Sequence, residues 1–136
     1  MPILLHADYG GTGQAHNFVA FAPVRSDYGI ERYTQETRRL YSVLNRRLQE
    51  SPYVAGDKYT IADIASFTWT RIEPTTLGIE LSEWPAVKKW HDTILQRDAV
   101  QSWLKLPAMV AADEQLLYTV AVLKQKMTER VNTDKH

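Results

Sequence analysis

Apolar positions along the chain recur at helical rather than strand spacing. Tyr33, Leu40, Tyr41, Val43, Leu44 and Leu48 approximate a 3.6-residue stripe, with Arg38, Arg39, Arg46, Arg47 and Glu50 largely on the other side. Ile61, Ile64, Ala65, Phe67, Thr68, Trp69 and Ile72 form a segment apolar almost all round, the pattern of a central buried helix. Glu73-Pro74 predicts the end of that helix, because proline pushes the residue before it out of the α region. Val87, Trp90, Ile94 and Leu95 give the next stripe, and Val100, Trp103 and Leu104 a shorter one before Pro107. From Ala108 onward, Met109, Leu116, Leu117, Val120, Leu123, Met127 and Val131 recur at intervals compatible with one helical face. Lys124, Gln125, Lys126, Glu129 and Arg130 supply its polar positions. No strand-like alternation lasts more than a few residues, and the expected fold class is all-α.

A helix start is written into Val54-Ala55-Gly56-Asp57-Lys58-Tyr59-Thr60-Ile61-Ala62-Asp63-Ile64-Ala65. Thr60 stands where an N-cap belongs, and its hydroxyl can accept from the amide of Asp63. The Asp63 carboxylate can reach back to the amide of Thr60, making a short-armed capping box. Tyr59 and Ile64 occupy the positions of a hydrophobic staple. Asp63 also sets negative charge at the positive end of the helix dipole.

Composition narrows the function classes. The chain has 136 residues, the size of one domain. Sixteen basic and sixteen acidic residues cancel, so no global field favours nucleic acid or an anionic membrane. The absence of cysteine excludes disulfides, thiolate catalysis and cysteine metal sites. No apolar run is long enough to span a bilayer, and Met1-Pro2-Ile3-Leu4-Leu5 lacks the basic start of a signal peptide. A cytoplasmic location is the resulting expectation. Gly10-Gly11-Thr12-Gly13 is not followed by Gly-Lys-Ser/Thr, and the four histidines lack metal-binding spacing.

The string from Val54 to Ala65 resembles the folding motif of helix six in the C-terminal half of glutathione transferases. The resemblance extends to Ile30-Glu31-Arg32-Tyr33, to Leu48 through Gly56, to Trp84-Pro85-Ala86-Val87-Lys88-Lys89-Trp90-His91 and to Gln96-Arg97-Asp98-Ala99-Val100. Gly13-Gln14-Ala15-His16-Asn17-Phe18, Ala22-Pro23 and Tyr28 are similar to the nu-class branch and its fungal relatives. It implies an all-α helical bundle of the transferase C-terminal type over residues 1–107, with a rebuilt stretch at 1–12. Residues 108–136 are expected to form an added C-terminal helix and tail, packed on its own bundle or paired with another subunit. A complete transferase carries a thioredoxin-like domain ahead of this half. Its absence here implies either a fragment or an α-domain acting alone.

For the site, the resemblance implies that Arg32 helps hold glutathione, since a guanidinium fork binds a carboxylate in bidentate fashion. An ion pair with Glu36, one turn on, is the other reading of Arg32. His6, Asp8, Tyr9, His16 and Asn17 resemble the part that lines the hydrophobic-substrate pocket. A histidine near an aspartate, His6 with Asp8, could work as an acid–base pair, or both could be solvated residues at a chain end. Trp69, Arg71 and Tyr118 are candidate pocket members, Trp69 being also a core candidate. Glu73 in a dry pocket would have a raised pKa and could act as an acid. The expected protein binds a hydrophobic small molecule as a homodimer, with no metal, nucleic acid or membrane partner. It needs no cofactor, glutathione being bound only with a complementary thioredoxin-like domain. Isomerisation or cyclisation is the expected chemistry; a partner-dependent glutathione transferase or a non-catalytic interaction domain is the alternative.

Overall fold

The computed structural model describes residues 12–22 and 24–133. The chain falls into two compact units, Met1–Arg97 and Asp98–His136. In the first, α1 (Thr12–His16) runs into a π-helical turn (Asn17–Phe21), followed by α2 (Asp27–Glu50), α3 (Ile61–Leu77), a 3₁₀ turn (Leu81–Glu83) and α4 (Pro85–Leu95). In the second, α5 (Asp98–Leu104) precedes α6 (Pro107–Thr133). No strand occurs among the described residues; Tyr53 and Gly56 make one isolated bridge. The chain is an all-α bundle, as its periodicity predicts.

Helices α2, α3 and α4 begin where side-chain chemistry tells them to. Ser26 starts α2 by accepting from the Gly29 amide at 3.1 Å. Gly29 then lets α1 and its π turn lie close: a Cβ there would stand 2.6 Å from Phe18 Cδ1. Phe18 uses that space to stack on Tyr33, ring centroids 5.3 Å apart. At the start of α4, Asn45 on α2 accepts from the Ala86 amide at 2.9 Å, in place of a local cap.

The capping box at Thr60 and Asp63 is present in both directions. Asp63 does more than cap. Fully buried, it accepts from the Thr60 amide, the Val54 amide and Trp90 Nε1, each at 2.9 Å. One carboxylate therefore ties the preceding loop, the start of α3 and the middle of α4 together. Tyr59 packs edge-on against Tyr53 and carries the Arg97 guanidinium 3.9 Å above its ring. Tyr41, Leu44, Phe67, Val87, Trp90 and Ile94 form the apolar core between α2, α3 and α4.

Two features of α3 differ from the sequence reading. The helix does not end at Glu73: it continues through Pro74 to Leu77, and Gly78 terminates it at φ 66°. Pro74 opens the final turn and has no N–H to donate to the Thr70 carbonyl, so the helix continues there without that backbone hydrogen bond. The helix is also not buried all round. Its inner face is largely polar, carrying Asp63, Ser66, Thr70, Glu73 and Thr76 beside Phe67, while Ile61 is 81% exposed and Ile64 50%. Burial of the polar face is sustained by internal bonding: Ser66 donates to the Ala62 carbonyl and Thr70 to the Phe67 carbonyl.

In the second unit, α6 starts by hydrogen bonds from the Met109 and Val110 amides to the Leu106 carbonyl. Along it Met109 and Leu116 are half-buried, whereas Val110, Leu117 and Tyr118 are exposed.

Candidate functional site at the contact of α1 and α3

The structure brings two sequence-predicted residues together. His16 ends α1 and Trp69 lies in the middle of α3; their rings meet edge-on at 5.6 Å between centroids. Thr76, two turns further along α3, stands 3.1 Å from His16 Nε2. The Thr76 hydroxyl has one proton, directed to the Ile72 carbonyl at 3.1 Å, so its oxygen accepts from Nε2–H. Burial holds the His16 pKa below the ordinary value, which favours the neutral imidazole. Beside it, Trp69 is half-buried. The arrangement is an uncharged aromatic wall with hydrogen-bonding tips, suited to an apolar molecule with a small polar group.

The π turn begins at the next residue. It closes with the Ala22 amide bonded to the Asn17 carbonyl at 2.8 Å and leaves Asn17 and Phe21 exposed. Such single turns occur often at functional sites. Arg32 is exposed on α2, its guanidinium 6.0 Å from the Tyr33 ring centre. The expected pair of Arg32 with Glu36 does not form. Glu36 is bound by both arms of Arg39, at 2.7 and 2.8 Å, and that guanidinium lowers the Glu36 pKa. The geometry decides this: Arg39 meets the carboxylate in fork fashion, a stronger arrangement than a single distant charge.

Glu73 lies on the inner face of α3, inside the first unit. It is 1% exposed and accepts a short hydrogen bond from the Tyr41 hydroxyl. Burial, then the Glu73 charge, push the Tyr41 pKa upward. Tyr41 in turn packs on Trp84 at 5.0 Å, whose Nε1 donates to Ser42 at 3.1 Å. Arg71 is half-buried on α3 and engaged by a partner. Tyr118 is 67% exposed on α6 in the second unit. His6, Asp8 and Tyr9 lie outside the described residues.

Sequence reading missed Tyr41 and Thr76, which bind Glu73 and His16 across 32 and 60 residues. No local signal marks either. Among the described residues no group of three acidic or histidine side chains could hold a metal, and no helix is long and apolar enough to cross a membrane.

A capped, polar-faced central helix packed between a long helix and a short one defines the helical half of a glutathione-transferase-type protein. The chain belongs to the glutathione S-transferase C-terminal domain family, which matches residues 21–98. It is 49% identical over 94 residues to the disulfide-bond oxidoreductase YfcG of Escherichia coli (strain K12), covering 68% of this chain and 43% of the relative. The disulfide-bond oxidoreductase YghU of the same organism is 35% identical over 103 residues, covering 70% of this chain and 35% of that protein. Among solved structures, a glutathione transferase homolog from Lodderomyces elongisporus with two GSH per subunit superposes with TM-score 0.68 at 34% identity. It covers 76% of this chain and 51% of that one. Ure2p in complex with glutathione gives TM-score 0.65 at 32% identity, over 73% of this chain and 51% of its own. The chain thus spans less than half the length of these curated relatives.

Proposed function

We propose that this α-domain binds an apolar small molecule against His16 and Trp69, and that it does not hold glutathione by itself. The observation behind this reading is the neutral, buried His16 locked to Thr76 beside the half-buried Trp69. A wall without charge favours an apolar ligand over a tripeptide carrying two carboxylates. The chemistry open to such a site is positional: holding a substrate in a reactive conformer for isomerisation or cyclisation needs no cofactor. A cytoplasmic homodimer is the accompanying assembly.

A second reading has its own support. Relatives with bound glutathione, and an exposed Arg32 whose neighbour Glu36 is taken by Arg39, fit an α-domain that completes a transferase site with a thioredoxin-like domain. Arg32 would then hold a carboxylate of glutathione.

Calorimetric titration separates the two. The chain alone should give no heat with glutathione, and it should bind the uncharged fluorophore Nile red with an affinity that falls about tenfold in Trp69→Ala. Tight glutathione binding by the chain alone overturns the first reading. Unchanged fluorophore affinity in Trp69→Ala removes the proposed site.

A further inference from the structure

Helix α4 buries Val87, Trp90 and Ile94. His91 stands beside that apolar row and meets α3 on different terms. Its ring lies on the buried Phe67 ring, centroids 5.0 Å apart and planes tilted by 30°. The side chain is 12% exposed, and both ring nitrogens are closed off from water without a hydrogen-bond partner. A buried imidazole ordinarily finds a partner for its N–H. Packing on Phe67 therefore holds this one in place.

The surroundings oppose a charge on the ring. Burial is the main cause that lowers the His91 pKa; Lys88 on α4 and Arg71 on α3 act as cations in the same direction. Asp92 acts the other way, but its attraction is divided. Its Oδ1 stands 3.5 Å from His91 Nδ1 without bonding it, and its Oδ2 accepts from Lys88 Nζ at 2.7 Å. Asp92 and Lys88 both lie at the surface, 45% and 51% exposed. A protonated ring has nothing to bond while it stacks on Phe67, and it gains water and the Asp92 carboxylate by leaving.

We propose that His91 is an acid-released latch between α3 and α4. Neutral, it stacks on Phe67 and holds the last turn of α4 closed. Protonated by solvent at a ring nitrogen, it swings off Phe67 toward water and Asp92, and that turn loosens. Trp90, the residue before it, stays bonded to Asp63 at 2.9 Å, which confines the opening to the turn beyond. Linkage gives the size. The open ring takes up a proton below about pH 6.5 and the closed ring only at lower pH, so between those values each pH unit favours the open form about tenfold.

The test is amide hydrogen exchange of the full chain, followed by NMR from about pH 7.5 to about pH 5 and corrected for intrinsic rates. Protection at Asp92, Thr93, Ile94 and Leu95 should be lower than at Tyr41 and Leu44, and should fall by up to about tenfold per pH unit below about pH 6.5. His91→Phe keeps a stacked ring that takes no proton, so its α4 protection should stay level with pH. Protection in the original chain that is level with pH overturns the proposal. So does the same fall in His91→Phe, the result of a whole-domain response carried by His16. Should that variant not fold, the His91 ring signal of the original chain decides. The shift that the Phe67 ring imposes on it should vanish as His91 titrates, and a shift retained through the titration overturns the latch.

Discussion

Removing the Asp63 carboxylate should be one of the costly single changes in the first unit. Asp63→Ala takes the acceptor from the Val54 amide, the Thr60 amide and Trp90 Nε1, all bonded at 2.9 Å. Val54 and Trp90 are buried, so water cannot replace the lost partner for either. Each of these two stranded donors costs about 1–3 kcal/mol and the lost cap about 1 kcal/mol, which gives about 3–7 kcal/mol in all. A domain of this size has about 5–15 kcal/mol to lose, so the variant sits near the edge of folding. Asp63→Asn should lose less, about 2 kcal/mol, because the remaining carbonyl oxygen still accepts while the new NH₂ faces a donor. Urea unfolding followed by far-ultraviolet circular dichroism and tryptophan fluorescence measures both. A loss under about 1 kcal/mol in Asp63→Ala would refute the view that one carboxylate joins loop, α3 and α4.

Three further outcomes are expected. Gly29→Ala forces a methyl to within 2.7 Å of two Phe18 ring carbons and should destabilise by about 1–3 kcal/mol, with Phe18→Leu in the same chain recovering part of the loss. Tyr41→Phe removes the hydroxyl that binds buried Glu73 and should lower stability by about 1–3 kcal/mol, an effect absent if that hydrogen bond contributes nothing. Burial lowers the pKa of both His16 and His91, so the unfolded chain binds protons that the folded chain refuses. Their contribution is therefore complete above the unfolded value of about 6.5 and is lost as pH falls below it toward the lowered folded values. Denaturation midpoints should drop across that window, and the slope should shrink in His16→Gln, unless His16 titrates as a free imidazole.

The helices were legible wherever the signal was local. Thr60 and Asp63 mark the start of α3 by side chains that bond amides within three residues, and Val87, Trp90 and Ile94 mark the inner face of α4 by spacing alone. The spacing of Ile61, Ile64, Phe67, Trp69 and Ile72 reads α3 as apolar almost all round, whereas its buried face carries Ser66, Thr70 and Glu73. Their hydroxyls and carboxyl find acceptors or donors inside the fold, and Ile61 and Ile64 turn outward. Glu36 was paired with Arg32 for a similar reason: one-turn spacing permits both Arg32 and Arg39, and only side-chain geometry chooses Arg39.

The sequence by itself determined the all-α class, the capping box and the family, since each rests on residues near one another along the chain. The tertiary structure alone decided that Asp63 reaches Trp90 across 27 residues, that Thr76 sets the tautomer of His16, and that Tyr41 covers Glu73. Helical period says which side of a rod a residue occupies. It does not say which rod lies opposite, and that neighbour decides whether a buried polar group is a cost, a strut or a site.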